Sequence, residues 1–132
     1  MALSFTVSDV IPANKEAVYN AWLDSEKHAK MTNTTAAIGS TKVGGEFMAH
    51  DGYITGKNIE LVPYFKIVQS WRSTEFKDGE EDSLITVTFE DAAGGTLVTL
   101  THSNVPEGGE HYESGWRSHY FEPMKKYFGV RE

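Results

Sequence analysis

The sequence contains no cysteine, which excludes a disulfide framework, thiolate nucleophiles and thiolate metal ligands. Long apolar runs are missing as well. No stretch approaches the ~20 apolar residues that a membrane helix needs. The first ten residues lack the basic start and apolar centre of a signal peptide. The expectation is a cytoplasmic chain without a membrane span. Positive charge is scarce: 12 Lys and Arg stand against 19 Asp and Glu, a formal net charge of −7. Such a chain gains little from a phosphate backbone, so nucleic acid is excluded as a general partner. There is no linker, no low-complexity segment and no internal repeat.

What is present fits one domain. A chain of 132 residues buries roughly two-thirds of its unfolded surface, enough for a core without staples. Residues 1–132 therefore read as a single domain. Charge is unevenly spread within it. Glu75, Asp78, Glu80, Glu81 and Asp82 form an acidic run, while Lys125, Lys126 and Arg131 make the end of the chain basic. A solvated loop and a cation-favouring helix end account for both. The same basic residues are the candidates for a partner surface.

Leu3 to Ile11 alternates, with Phe5, Val7 and Ile11 on one side, and reads as a strand. Pro12 then sits where a helix can begin. Ala17, Val18, Ala21 and Trp22 share one helical face over residues 14–23. Asp24 or Ser25 can cap a second short helix through Met31. Strand signals follow at Thr35–Ile38, Glu46–His50, Tyr53–Val62, Phe65–Thr74, Leu84–Asp91 and Thr96–Ser103. Asp51-Gly52 and Asp78-Gly79 read as tight hairpin turns with positive φ at both central positions. Pro63-Tyr64 and residues 92–95 mark further reversals. Ile85, Val87 and Phe89 in one strand, and Val98 and Leu100 in another, define an apolar face that a helix must cover.

That helix is expected to start near Glu110, with Tyr112, Trp116, Tyr120, Met124 and Tyr127 along one seam. Pro123 removes a ladder hydrogen bond, so a kink is expected there and not a stop.

The search for chemistry returns little. His28, His50, His102, His111 and His119 are scattered. His111 and His119 lie about 80° apart round a helix, too far for one ion without a third ligand. No metal site, cofactor or catalytic residue is assigned. There is no G-x-S-x-G elbow, and Gly44-Gly45 lacks the G-K-[ST] of a phosphate loop, reading instead as a bulge or close approach at a strand start. His102 shares a strand face with Val98 and Leu100 and points under the helix. It is either a buried neutral imidazole satisfied within the protein or a polar anchor for a ligand. As a catalytic base it would need a polar partner in the same space. Glu46, Glu60 and Arg72 lie on strands with unassigned facing. Trp22, Phe47, Trp71, Trp116, Tyr120 and Phe121 suit either a filled core or the wall of a ligand pocket.

Three segments carry a resemblance. They are Lys42-Val43-Gly44-Gly45-Glu46-Phe47; Gly56-Lys57-Asn58-Ile59-Glu60-Leu61-Val62-Pro63 with Ile67-Val68-Gln69-Ser70-Trp71-Arg72; and Gly115-Trp116-Arg117-Ser118-His119-Tyr120-Phe121-Glu122-Pro123-Met124-Lys125. In this order and spacing they resemble the activator of Hsp90 ATPase homologue 1-like family, within the START-like superfamily. The resemblance implies an α+β, helix-grip (Bet v 1-like) fold. A curved antiparallel sheet of about seven strands would wrap round a long C-terminal helix, with two short helices after the first strand. It implies a non-enzymatic binding module, chaperone-associated or stress-related, with an Hsp90-type partner. The family's cochaperone has a further N-terminal domain that makes a principal contact with Hsp90 and for which this chain leaves no room, so the resemblance implies a chaperone contact and does not carry ATPase activation with it. Other relatives imply the alternative of a carrier or sensor for a hydrophobic small molecule, and more distant ones a cyclase. The candidate cavity residues are Trp22, Phe47, Trp71, Val87, Phe89, Leu100, His102, Trp116, Tyr120 and Met124.

Overall fold

The computed structural model describes residues 3–32, 35–38, 42–50 and 52–129. Strand β1 (Leu3–Ile11) leads into α1 (Lys15–Trp22) and α2 (Ser25–Thr32). Six strands follow: β2 (Ala36–Ile38), β3 (Glu46–Ala49), β4 (Ile54–Val62), β5 (Lys66–Ser73), β6 (Ser83–Ala92) and β7 (Gly95–Val105). The chain then forms α3 (His111–Trp116), a π turn (Arg117–Phe121) and α4 (Glu122–Gly129), which together make one long helix. The strands form one antiparallel sheet in the order β1-β7-β6-β5-β4-β3-β2.

Local chemistry explains the short helices. Asn14 Oδ1 accepts the Ala17 amide at 2.8 Å and caps α1. Asp24, not Ser25, caps α2, accepting the Lys27 amide at 2.9 Å. Each such cap satisfies a donor that has no partner inside the helix. Val18, Tyr19, Ala21 and Trp22 then turn inward.

The reversals depart from expectation in one place. Asp78-Gly79 is no tight hairpin, because β5 ends at Ser73 and β6 begins at Ser83. Gly79 alone takes a left-handed φ, 87°, with Asp78 in the ordinary region. Arg72 explains how so long a connection is held. Its guanidinium donates to Glu80 O at 2.6 Å and Lys77 O at 2.8 Å and pairs with Asp82 at 3.2 Å. Of the Asp51-Gly52 pair, Asp51 lies outside the described residues. At Gly44-Gly45 the bulge is the alternative that holds: the Gly44 amide donates to Asn58 O at 2.8 Å and the Asn58 amide to Gly45 O at 2.9 Å, two residues against one, with Gly44 at φ 89° and open space beside it. The close approach is at Gly56, where a Cβ would lie 1.9 Å from Ser70 O and 2.7 Å from the Phe47 ring.

The concave face of the sheet carries Val7, Ile67, Ile85, Val87, Phe89, Val98 and Leu100, all buried. The long helix covers it with Tyr112, Trp116, Tyr120, Phe121, Met124 and Phe128. Tyr127 is only half-buried, and Phe128 takes the seam position assigned to it. The π turn is the reason. A spacing of four drifts about 40° per step on an α-helix. One residue inserted in the π register offsets about 100° of that drift. Positions 112, 116, 120, 124 and 128 therefore stay on one face. Pro123 accounts for the insertion, since a proline ring in a regular helix meets the carbonyl four residues back. Here the Glu122 amide already bonds to Arg117 O, five residues back.

Candidate functional site

The centre of the helix–sheet interface is sealed by a hydrogen-bonded chain. Trp116 Nε1–H donates to His102 Nδ1 at 3.0 Å. His102 Nε2 meets Ser83 Oγ at 2.8 Å, and Ser83 Oγ–H donates to Trp71 O at 2.7 Å. An indole nitrogen can only donate, so Nδ1 of His102 is an acceptor and its single proton sits on Nε2. Burial pushes the His102 imidazole down to about 3, so it is neutral. Ser83 and His102 form no nucleophile–base pair, because the ring nitrogen facing the hydroxyl already carries a hydrogen. Both residues are 1% exposed or less.

A second chain joins α2 to the helix. His28 Nδ1 bonds Trp22 O at 2.8 Å, and its Nε2 meets Tyr120 Oη at 2.8 Å. The carbonyl requires Nδ1–H, so Tyr120 donates to Nε2. Burial lowers His28 to about 4, opposed by the bond to Trp22 O. Burial also raises the Tyr120 phenol, which keeps its proton. A third chain runs from Trp22 Nε1 to Gln69 Oε1 at 3.2 Å and from Gln69 Nε2 to Asn58 Oδ1 at 2.9 Å. Among the described residues, Trp71 Nε1 is the buried side-chain polar atom without a hydrogen-bond acceptor. Its ring stands edge-to-face with His102 at 4.7 Å and with Tyr112 at 4.9 Å.

The interface opens at one end. A cleft of about 540 Å³ lies between the β3–β4 turn, β5 and the first half of the helix. Its floor is buried and largely aromatic: Ile54, Trp71, Tyr112, Trp116 and Tyr120. Its rim is polar, with His50, Tyr53, His111, Ser114, Ser118 and His119, and Gly115 completes the helix side. The rings of His50 and His119 lie 6.1 Å apart across the mouth. Glu75 pairs with His111 at 3.1 Å and accepts the Tyr53 hydroxyl. Burial, and then that carboxylate, raises the Tyr53 phenol. No group of three or more His, Cys, Asp or Glu among the described residues is placed to hold a metal ion.

Of the ten candidate cavity residues, the cleft brings together Trp71, Trp116 and Tyr120. Trp22, Val87, Phe89, Leu100, His102 and Met124 pack inside the core, each 1% exposed or less. Phe47 is buried beside Gly56 and lines a groove on the other side of β3–β5. Sequence reasoning left His50, Tyr53, Ile54, His111, Tyr112, Ser114, Gly115, Ser118 and His119 out of the cavity set. The i, i+4 relation of Ser114 and Ser118 beside the glycine was the available signal. Lys125 is ion-paired to Asp9 at 2.9 Å, Lys126 is exposed, and Arg131 lies outside the described residues. Glu60 pairs with Lys66 at 3.2 Å on the surface, and Glu46 is exposed.

The pattern of the family "Activator of Hsp90 ATPase homolog 1-like protein" matches residues 12–129. The chain belongs to this family. It is 30% identical over 125 residues to the human activator of 90 kDa heat shock protein ATPase homolog 1, covering 94% of this chain and 36% of that protein. The mouse protein matches with the same identity and coverage. The chain thus spans about a third of the length of these relatives. A crystal structure described as an HSP90 activator from Plasmodium falciparum superposes with a TM-score of 0.84 at 25% identity, covering 96% of each chain. Ara h 8.0201 shares the fold at a TM-score of 0.76 and 14% identity, covering 99% of this chain and all of its own. The architecture is the helix-grip, Bet v 1-like fold. In this activator-like domain, the segments that carried the resemblance do structural work. Gly56 admits Phe47, Gln69 bonds Asn58, and Trp116 satisfies His102.

Proposed function

We propose that this domain is a non-enzymatic binding module that docks on an Hsp90-type chaperone in the cytoplasm. The observation that carries this reading is the family match across 12–129, together with relatives named as activators of the 90 kDa heat shock protein ATPase. The state of His102 supports the non-enzymatic part. His102, the residue best placed to act as a base, is neutral, closed off and hydrogen-bonded at both nitrogens. The acidic net charge and the exposed Lys126 imply contacts that salt screens. The Debye length is about 10 Å at 0.1 M salt, so long-range surface attraction fades above it. Isothermal titration against purified Hsp90 should give binding in low salt that weakens as salt rises. No binding in low salt overturns the reading.

The cleft favours a second reading, a carrier or sensor of a small apolar molecule. Its volume, about 540 Å³, falls within the usual range of ligand pockets, roughly 300–1,000 Å³. Aromatic walls with a polar rim suit an amphipathic occupant. Native mass spectrometry of the purified protein is expected to show a co-purified small molecule on this reading.

A further inference from the structure

We propose that Gly115 is the residue that keeps the cleft open, and that the occupant is a small planar aromatic molecule with its polar end at the imidazole rim. This rests on the small-molecule reading above. A glycine inside a helix weakens it relative to alanine, because it frees the unfolded backbone. Two ordinary reasons for accepting that penalty are absent at Gly115. Its φ is not in the left-handed region. Nor is it crowded: an added Cβ would meet only His119 Cδ2, at an ordinary 3.9 Å. Backbone geometry and packing would both accept a side chain. What a side chain would change is the cleft, whose helix side Gly115 lines together with Ser114 and Ser118.

The π turn does not share this argument, since Pro123 already explains it. The class of occupant follows from the floor. Trp71 and Trp116 are tilted by 50° with centroids 5.7 Å apart, and Trp116 and Tyr120 by 54° at 4.8 Å. Aromatic rings offer faces and edges on which another flat ring gains more than its buried area alone. A flexible aliphatic chain gains only the area and loses rotamer freedom on being held. His50 and His119 flank the mouth, where a polar substituent would emerge.

The test uses the full chain and N-phenyl-1-naphthylamine, an aromatic probe whose fluorescence rises in apolar surroundings. The wild type should bind it at one site. Gly115→Leu should bind at least about tenfold more weakly, about 1.4 kcal/mol, with a melting temperature equal to or above wild type. In displacement, 2-naphthoate should act at about fivefold lower concentration than decanoate, which carries the same head group on an aliphatic body. No binding by wild type overturns the small-molecule reading and this proposal with it. Unchanged affinity in Gly115→Leu overturns the role of Gly115 alone. A Gly115→Leu chain that fails to fold also overturns it, because the space would then belong to the core. Equal displacement by decanoate overturns the aromatic class.

Discussion

Under the middle of the long helix, Trp116, His102, Ser83 and the Trp71 carbonyl close a chain in which every partner is buried. Less than one helical turn away, Gly115, Ser118 and His119 face His50 across an open cleft. The two regions share one helix and one sheet and even share Trp71 and Trp116, yet one is filled and the other is not. The difference lies in what the helix presents. In the closed region a large indole reaches the sheet and finds an acceptor for its N–H. In the open region Ser114, Gly115 and Ser118 leave space between the helix and the β3–β4 turn, and the His50 ring meets His119 and Tyr120 at its edge. Polar groups in the first region are sealed within the fold, and those in the second line the rim of the cleft.

Acid should strike the closed region hardest. His28 and His102 have folded values near 4 and 3, below the ordinary 6.5. The unfolded chain therefore takes up protons first, and stability falls as pH drops from 6.5 toward 4. The slope is at most about 3 kcal/mol per pH unit for two histidines. The loss should begin above pH 5, before most carboxylates titrate. Urea unfolding at pH 7, 6 and 5 checks this, and a flat midpoint over that range would mean that the imidazoles are not sealed.

Truncating the shared anchor comes next. Trp116 is 4% exposed, so Trp116→Ala should cost about 3–5 kcal/mol. Trp116→Phe keeps most of the packing but leaves His102 Nδ1 without a donor, a loss of about 1–3 kcal/mol. Chemical denaturation of both variants separates packing from the hydrogen bond. If Trp116→Phe is neutral, the buried chain contributes nothing and the contrast between the two regions weakens.

On the open side the sign reverses. Gly115→Ala should stabilise by about 0.4–1 kcal/mol, because it removes backbone freedom from the unfolded chain without meeting a neighbour. A destabilised Gly115→Ala would place the glycine in the packed region.

Strand alternation put His102 on the same face as Leu100 and beneath the helix, and that placement holds because a period of two leaves no other choice. The family segments were legible as a resemblance alone, and the packing at Gly56 and the hydrogen bond from Trp116 are what the structure adds to them. The cleft was harder to read. Large aromatics marked Trp71, Trp116 and Tyr120, but the same marks fell on Trp22 and Phe89, which fill the core. A residue type says that it prefers burial and does not say whether the space beside it is occupied. The phase of the helix beyond Tyr120 was likewise hidden. It depends on a π turn that a regular periodicity cannot express, which is how Tyr127 was placed where Phe128 sits.

The contrast between a sealed and an open region can be tested in one titration. Amide chemical shifts of the isotopically labelled chain would be followed as 2-naphthoate is added. The account predicts that the largest changes fall on Tyr53, Ile54, Trp71 and the helix from Tyr112 to Tyr120, with Val87, Phe89 and Leu100 unmoved. Largest changes at Val87, Phe89 and Leu100 would contradict it, because they would place the open space where the structure has a filled core.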